Sequence, residues 1–385
     1  MNFLKKSLFI FFTVLVSLVI LLIGLETLTR FLSFRRIIGL DSLGVVEYQY
    51  MRDSKDPYLH HELVPNMTVS NTLSINKLGY RGIIFPYQKK QNIYRIVVIG
   101  DSVTFGLRIS NEVTWPRIME KELNETLKQK GSPTRVEVVN LAVPGYDYIN
   151  SLQKFKKLGL KFHPDLLING YCLNDLQDGA YTYSFASGKG SSRIYLPPFI
   201  KKFLRRSFFY VFCAQRFNIL LKGLDLSNRS HSQLSQPSQL SQPSPSTRVS
   251  DVMKKIRAQF GWIISSHDKK STYWEPFKNQ FLLPLKNLSE KESFGFLMVI
   301  FPFYTGYVYY PLKQVHENLK EIFMNTGTPY QDLEDLFYQS HNLKTVSQYF
   351  NDYAHLSTQG SILAGKFMAQ YVYSRITKKN KKGSS

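Results

Sequence analysis

The stretch RIVVIGDSVTFG at residues 95–106 limits what this chain can fold into more than any other. It opens with an apolar run rich in β-branched types, which favour a buried strand. The run ends at Gly100, and Asp101 and Ser102 follow directly. A hydroxyl in that place lies at the carboxyl edge of a sheet, where open α/β sheets bind their ligands. Ser102 is therefore a candidate nucleophile, although a serine between a strand and a helix also serves as an ordinary helix N-cap.

Strand patterns and helical patterns alternate after this stretch. Apolar runs of strand length are separated by segments with helical spacing or by a longer insertion. Such alternation indicates a parallel sheet with helices on both of its faces. We therefore predict a three-layer α/β/α fold of the flavodoxin-like kind, built on a five-stranded parallel sheet. The predicted strands are 96–99, 136–141, 166–171, 295–301 and 329–333, and the predicted helices are 115–130, 149–160, 312–324 and 358–376.

The rest of the sequence divides around this α/β domain, which we place at residues 94–377. Residues 40–93 carry several turn-forming pairs and are interpreted as a lead-in that packs on the domain edge. Residues 176–293 break the α/β rhythm and are interpreted as an insertion, a partly helical cap over the site. Within it, the Ser/Gln/Pro-rich tract 227–250 cannot bury enough apolar surface to fold and is predicted to be disordered. A basic tail, 378–385, ends the sequence.

The N-terminal segment has the composition of a membrane span. Residues 7–25 carry no charge and are rich in Phe, Leu, Ile and Val. This length meets the roughly 17–25 residues that a spanning helix needs. The flank 1–6 contains two lysines, as signal sequences do, but no small-residue cleavage site follows, so we predict an uncleaved single-pass anchor. A cleaved signal peptide and a buried core helix are the alternatives.

The orientation of this anchor is not decided by the flanking charges. Lys5 and Lys6 precede the apolar segment, whereas Arg30, Arg35 and Arg36 come after it, so the positive-inside rule gives no preference. A signal-like anchor at the N-terminus more often exports the rest of the chain. We therefore expect the α/β domain on the extracytoplasmic side of a membrane.

An excess of basic residues narrows the possible partners. Lysine and arginine number 49 against 28 aspartate and glutamate, which gives a net charge of +21. This charge suits nucleic acid, an anionic membrane surface or an anionic polymer, but a lysine-rich composition with a basic tail would produce it as well. Because no zinc-finger spacing, RNA-binding signature or basic heptad pattern accompanies it, we expect no nucleic-acid partner. The oligomeric state is left open.

Neither the cysteines nor the histidine-rich stretch indicates a metal site. Cys172 and Cys213 could form a disulfide, but nothing in their placement requires it, and two cysteines cannot hold a metal cluster. The cluster His60-His61-Glu62 is too compact for a convincing metal site and is interpreted as surface polar residues. We expect no metal and no cofactor.

Asp352 and His355 stand three residues apart in a polar loop that follows the last predicted strand. A serine hydroxyl becomes a useful nucleophile only when an imidazole takes its proton. That imidazole needs a carboxylate on its other nitrogen, which fixes the tautomer and stabilises the imidazolium. An Asp-x-x-His turn supplies both groups from one loop at the carboxyl edge. The plain alternative is a surface aspartate beside an exposed histidine.

Two other strand ends offer hydrogen-bond donors for an oxyanion. Gly145 follows the second strand and lets the backbone approach a substrate closely. Asn174 follows the third strand and can point a side-chain amide at the same oxygen. With the backbone amide of Ser102 there are three donors, of the kind that stabilise the charge developing during acyl transfer. An ordinary turn at Gly145 and an Asx-turn at Asn174 are the alternatives.

Taken together, the candidate residues occur in the order Ser, Gly, Asn, Asp, His, which resembles the four sequence blocks of the SGNH, or GDSL, hydrolase family. The resemblance runs from about residue 95 to residue 373 outside the insertion, and NKLGYRG at 76–82 is similar to the lead-in of membrane-anchored bacterial members. Family members usually have Gly-x-Asn-Asp in the third block, whereas Cys172 stands at the glycine position here and is expected to narrow the acyl pocket. The blocks are Gly100-Asp101-Ser102, Gly145, Asn174-Asp175 and Asp352-x-x-His355.

The resemblance implies that Ser102 is the nucleophile, His355 its base and Asp352 the residue that orients His355. It also implies an oxyanion hole and its supports, comprising the amides of Ser102 and Gly145, the side chain of Asn174, and the neighbouring Asp101 and Asp175. The implied activity is that of a membrane-anchored serine esterase that hydrolyses an ester of an acylated glycan or a lipid through an acyl-enzyme. The alternatives are an O-acyltransferase for an envelope polysaccharide, and a non-catalytic binding or assembly protein that keeps the fold.

Overall fold

A computed structural model describes residues 2–34, 50–176 apart from 55, 57, 58, 60 and 71, residue 209, and 249–382 apart from 308, 340 and 341. The chain divides into two compact units, Met1–Gln49 with Ser191–Arg229, and Tyr50–Gly190 with Ser230–Ser385. The first unit contains helix α1 (Asn2–Phe34). Its segment Lys5–Phe31 is long and apolar enough to cross a membrane, and an 18-residue window within it has a mean hydropathy of 3.1. A signal sequence near an N-terminus passes the same test of length and composition.

The lead-in forms two small antiparallel hairpins where the sequence indicated only an extended segment. Strands β1 (Met51–Asp53) and β2 (His61–Leu63) pair in the first, and β3 (Met67–Ser70) and β4 (Leu73–Ile75) pair in the second. Each strand has only three or four residues, too few for a clear alternation of apolar and polar positions. Residues 40–49 of the predicted lead-in lie outside the described residues.

The second unit is built on a five-stranded sheet in which all neighbouring strands are parallel, as predicted. The spatial order of the strands is β6-β5-β7-β8-β9. In chain order this is 2-1-3-4-5, the flavodoxin-like arrangement of a doubly wound sheet. Residues 96–99 of the central strand are completely buried. The strands are β5 (Ile93–Gly100), β6 (Arg135–Asn140), β7 (Leu166–Tyr171), β8 (Gly295–Ile300) and β9 (Tyr330–Asp332).

Helices connect these strands and flank the sheet. The longest of them, α11, packs against α3, while α4 packs against a π-helical turn at Lys278–Leu282. Right-handed crossovers place these two groups on opposite faces of the sheet. The helices are α2 (Ser102–Phe105), α3 (Trp115–Gln129), α4 (Tyr148–Lys157), α5 (Val249–Ser266), α6 (Trp274–Phe277), α7 (Leu283–Lys291), α8 (Lys313–Thr326), α9 (Glu334–Tyr338), α10 (Leu343–Ser347) and α11 (Thr358–Lys382).

The segment between β7 and β8 differs from the predicted insertion. Helices α5, α6 and α7 and the π-helical turn Lys278–Leu282 lie within residues 249–291, and Phe260, Phe277 and Phe281 of this segment are fully buried in the main core. A parallel strand pair needs such a crossover, so this part of 176–293 belongs to the α/β domain. Residues 249 and 250 of the predicted disordered tract are helical, and the rest of that tract lies outside the described residues, as does the remainder of the predicted cap from 177 onward.

The C-terminal part contains more helix than the sequence indicated. Two short helices, α9 and α10, lie between the last strand and the Asp352 loop. Ser357 caps α11, because its hydroxyl accepts a hydrogen bond from the amide of Gly360. Helix α11 continues to Lys382, into the segment predicted as a tail, and residues 383–385 lie outside the described residues.

Candidate active site

Ser102, His355 and Asp352 form one continuous hydrogen-bonded chain at the carboxyl edge of the sheet. The Oγ of Ser102 lies 2.7 Å from Nε2 of His355. On the other side of the imidazole, Nδ1 lies 2.8 Å from Oδ2 and 2.9 Å from Oδ1 of Asp352. Because a carboxylate only accepts hydrogen bonds, Nδ1 carries a proton, and Nε2 of the neutral ring is left to accept the hydroxyl proton of Ser102.

Ser102 is the first residue of α2, directly after the central strand. The N-cap of that helix is Asp101, whose side chain accepts a hydrogen bond from the amide of Val103 at 2.9 Å. The cap role that the sequence left open for Ser102 therefore falls to Asp101, and the hydroxyl of Ser102 faces His355. Burial raises the pKa of Asp101, against the opposing effects of the Val103 amide and of His355.

The loop that carries His355 is held by the carboxylate of Asp352. Its Oδ1 accepts hydrogen bonds from the backbone amides of Ala354 and His355 at 3.0 and 2.9 Å. Burial alone would raise the pKa of Asp352, but the hydrogen bond and charge of His355, together with these amides, lower it to about 2. Asp352 is thus an anion at neutral pH and keeps the imidazole in one orientation.

A second histidine–aspartate pair, His316 and Asp332, supports the loop that follows β8. The Nδ1 of His316 lies 2.9 Å from Asp332, and its Nε2 lies 3.0 Å from the hydroxyl of Tyr310. That hydroxyl accepts a hydrogen bond from the amide of Phe303 at 3.1 Å. The next amide, at residue 304, donates to the carbonyl of Tyr353 at 2.7 Å. The loop that holds Asp352 and His355 is therefore supported from the sheet by buried polar groups.

The predicted oxyanion donors lie at the ends of adjacent strands. β6 and β7 flank β5, and Gly145 and Asn174 follow these two strands at the same edge as Ser102. Gly145 is exposed and has φ +76°, a conformation that favours glycine. Asn174 is half-buried, and the carboxylate of Asp175 accepts a hydrogen bond from the amide of Cys172 at 3.1 Å. Their roles toward an oxyanion stay a prediction.

Cys172 contacts the segment that carries the nucleophile. The side chain is 1 % exposed and lies near the carboxylate of Asp101. Burial and the nearby carboxylates of Asp101 and Asp175 raise the pKa of Cys172 well above its usual range. Cys172 is a free thiol, and Cys213 lies outside the described residues.

Arg81 is a buried residue near Ser102 that the sequence reasoning did not single out within NKLGYRG. It is 2 % exposed, and its guanidinium donates to the carbonyls of Phe105, Gly106 and Ile109 and to the side chain of Asn111. Burial lowers its pKa to about 10, so it remains a cation at neutral pH. It thereby fixes the chain just after the helix of Ser102.

Arg108, at the edge of the site, is a second residue that the sequence reasoning did not single out. Its Nη1 lies 3.4 Å from Oδ2 of Asp352, and its side chain is 51 % exposed. Its φ of +62° is unusual for a residue with a Cβ and places it among conformations that cluster at functional sites. The one signal for Arg108 in the sequence is a positively charged residue close to the predicted turn after Ser102.

The comparisons with known proteins add solved structures of similar fold at low identity. A protein described as lipolytic and of the G-D-S-L family, from Desulfitobacterium hafniense, is 13% identical with a TM-score of 0.36, covering 72% of this chain and 98% of its own. A lipase/acylhydrolase from Enterococcus faecalis is 13% identical with a TM-score of 0.37, and the match covers 73% of this chain and 96% of that one. An acetylxylan esterase from Geobacillus stearothermophilus, solved as a catalytic mutant, is 13% identical with a TM-score of 0.37, and the match covers 71% of this chain and 92% of that one. No family model and no curated protein matches the sequence.

The geometry within the chain itself defines what the site can do. A hydroxyl, an imidazole and a carboxylate stand in line at the carboxyl edge of a parallel sheet, which is the arrangement of a serine nucleophile with its base. His355 can accept the proton of Ser102 as the oxygen attacks and can return it to a leaving group. No metal ion is needed for these steps.

Proposed function

We propose that this protein is a membrane-anchored serine esterase of the SGNH type. The observation that carries the proposal is the unbroken chain Ser102–His355–Asp352, with contacts of 2.7 and 2.8 Å. These distances lie within the range in which a general base removes a proton. The four sequence blocks that supply these residues support the same family.

The reaction runs through an acyl-enzyme. Ser102 Oγ attacks the ester carbonyl while its proton passes to Nε2 of His355, and the negative charge on the carbonyl oxygen is stabilised by the amides of Ser102 and Gly145 and the side chain of Asn174. The intermediate collapses, the alcohol leaves with the proton from His355, and the acyl group stays on Ser102. Water then repeats the sequence with His355 as its base, releasing the carboxylic acid and restoring the serine.

The substrate is an ester carried by a glycan or a lipid, and the α/β domain lies outside the cytoplasm. An apolar helix at Lys5–Phe31 and a net charge of +21 support a site of action at an anionic membrane or envelope polymer. Arg108 beside Asp352 adds a cation at the edge of the site. Helix α1 is proposed as the anchor that holds the domain there.

Hydrolysis of p-nitrophenyl acetate, butyrate and laurate by the full chain in detergent tests the activity. The Ser102→Ala variant, folded to the same melting temperature, is the control. We expect turnover by the wild type and none above background by the variant. An acylated glycan with and without a free acceptor glycan then separates hydrolysis from transfer. Transfer that outpaces hydrolysis would identify an acyltransferase, and a cellular role that survives Ser102→Ala would identify a non-catalytic protein.

A further inference from the structure

His61 is hydrogen-bonded to the turn that carries Gly145. Its Nε2 lies 2.7 Å from the carbonyl oxygen of Pro144, and the hydroxyl of Tyr146 donates to the backbone carbonyl of His61 at 2.7 Å. The two rings of His61 and Tyr146 lie 5.2 Å apart. A Cβ added to Gly145 would lie 3.5 Å from the imidazole. His61 therefore contacts both neighbours of Gly145.

The segment from Val143 to Tyr146 is a tight turn with a defined central peptide. The amide of Tyr146 donates to the carbonyl of Val143 at 3.1 Å, and the amide of Val143 donates to the carbonyl of Gly100 at 3.1 Å. Proline in the second position and a glycine with φ +76° in the third are the signature of a type II turn. The second of these hydrogen bonds ties the turn to the strand that ends beside Ser102.

The Pro144–Gly145 peptide has two possible orientations. Type I and type II turns differ in the direction of their central peptide, and glycine in the third position is compatible with both. The carbonyl of Pro144 and the amide of Gly145 belong to the same planar trans unit, so they point in opposite directions. A flip of this peptide would therefore turn the Gly145 amide away from the side it faces now.

We infer that His61 is a positioning residue that holds the Pro144–Gly145 peptide in one orientation, in which the Gly145 amide points into the oxyanion hole. The inference rests on the proposed function. Because a carbonyl can only accept, Nε2 of His61 carries the proton of the 2.7 Å hydrogen bond. This bond is lost if the peptide flips. It also polarises the peptide, which makes the Gly145 amide on the opposite side a better donor.

The chain offers matched variants for a test. His61→Phe keeps a ring against Tyr146 but removes the donor, whereas His61→Gln places an amide near the position of Nε2. Glu62→Gln is the control on the same strand, since Glu62 pairs with Arg52 on the exposed side at 2.7 Å. A hydrogen bond of ordinary strength shifts a two-state equilibrium by roughly 2- to 10-fold. We expect kcat for p-nitrophenyl acetate to fall by up to about tenfold in His61→Phe with KM unchanged, to recover in His61→Gln, and to stay at the wild-type value in Glu62→Gln.

An NMR measurement tests whether His61 holds the Pro144–Gly145 peptide, and it requires no turnover of substrate. Pro-Gly occurs once in the sequence, at residues 144 and 145, so full-length protein labelled with ¹³C-carbonyl proline and ¹⁵N-glycine gives a single carbonyl-to-amide correlation peak. We expect the carbonyl signal of Pro144 to move in His61→Phe, to return toward the wild-type position in His61→Gln, and to be unchanged in Glu62→Gln. Addition of phenylboronic acid, which forms a tetrahedral adduct with a reactive serine, then shifts the Gly145 amide strongly in the wild type and weakly in His61→Phe.

The outcomes separate this inference from the proposed function. A wild type that forms no boronate adduct and hydrolyses no ester contradicts the esterase, while the free-protein signal still decides whether His61 holds the peptide. An unchanged Pro144 signal in His61→Phe, or a higher KM with unchanged kcat, overturns the role given to His61. Equal losses of kcat in His61→Phe and Glu62→Gln overturn it as well, because they would reflect a general disturbance of the hairpin.

Discussion

His355 Nε2 and Ser102 Oγ lie 2.7 Å apart although 253 positions separate them in the sequence. One of them follows the central strand of the sheet and the other precedes the last helix. Helix α11, which begins three residues after His355, packs so closely on α3 that a Cβ at Gly365 would come within 2.6 Å of Ile118. The close contact of these two helices therefore helps to set where His355 meets Ser102.

Removal of the charge of Asp352 should change the pH dependence of stability. The pKa of Asp352 is lowered from 3.8 to about 2 in the folded chain, so its carboxylate stabilises the fold above pH 3.8 and this contribution is lost as the pH falls through about 2. Thermal unfolding of the wild type and Asp352→Asn should differ by a constant amount above about pH 4 and converge below it. Curves that stay equally separated down to pH 2 would contradict the account.

Loss of Arg108 should alter substrate preference more than stability. An exposed ion pair of this kind contributes less than about 1 kcal/mol to the free energy of unfolding. Its charge at the edge of the site favours esters that carry an anionic group, so Arg108→Gln should lower kcat/KM about tenfold for an ester with a nearby carboxylate and much less for its neutral analogue. The difference should shrink at high salt. Equal effects on both substrates would show that Arg108 has no part in recognition.

Arg81 should matter far more to stability than its exposed counterpart Arg52. Arg81→Met leaves the buried carbonyls of Phe105 and Ile109 without the guanidinium donor, while that of Gly106 keeps the amide of Ile109 as a donor, and it should lower the free energy of unfolding by at least about 3 kcal/mol. Arg52→Met removes only a partly exposed pair with Glu62 and should cost less than about 1 kcal/mol. Urea unfolding followed by tryptophan fluorescence measures both, and similar values for the two variants would be the contrary result.

The thiol of Cys172 should be unreactive in the native protein. Its side chain is 1 % exposed and its pKa lies well above the usual range, so little thiolate is available for alkylation. In a Cys213→Ser background, N-ethylmaleimide should label the native chain negligibly and the urea-unfolded chain fully. Rapid native labelling accompanied by loss of activity would place the thiol at an open surface of the site instead.

The sequence predicted the parts of this fold whose patterns are long and regular. The strand at 166–171 has the predicted bounds, and the others agree within a few residues, because a continuous apolar run between polar turns has few alternatives. Ser102, Asp352 and His355 were predictable because each follows a strand or precedes a helix at the same sheet edge. The hairpins of the lead-in were not, since strands of three residues leave no periodic signal.

The residues that sequence reasoning missed act through long-range contacts. His61 reaches Pro144 across 83 positions, and Arg81 reaches Ile109 across 28, and neither partner is marked by a local pattern. The crossover helices at 249–291 were assigned to an insertion because a low-complexity tract precedes them and obscures the α/β rhythm. Their phenylalanines are buried in the main core, and a parallel pair such as β7–β8 needs a crossover connection of this kind.

Covalent labelling of Ser102 tests the central claim most directly. A fluorophosphonate probe reacts with a serine only where a neighbouring base has activated it. We predict that the full chain in detergent is labelled at Ser102, that Ser102→Ala is not labelled, and that Asp352→Asn is labelled far more slowly because its imidazole loses the correct tautomer. The account would be contradicted if the probe left the folded wild-type protein unmodified. Equal labelling of the wild type and the Ser102→Ala variant would contradict it as well.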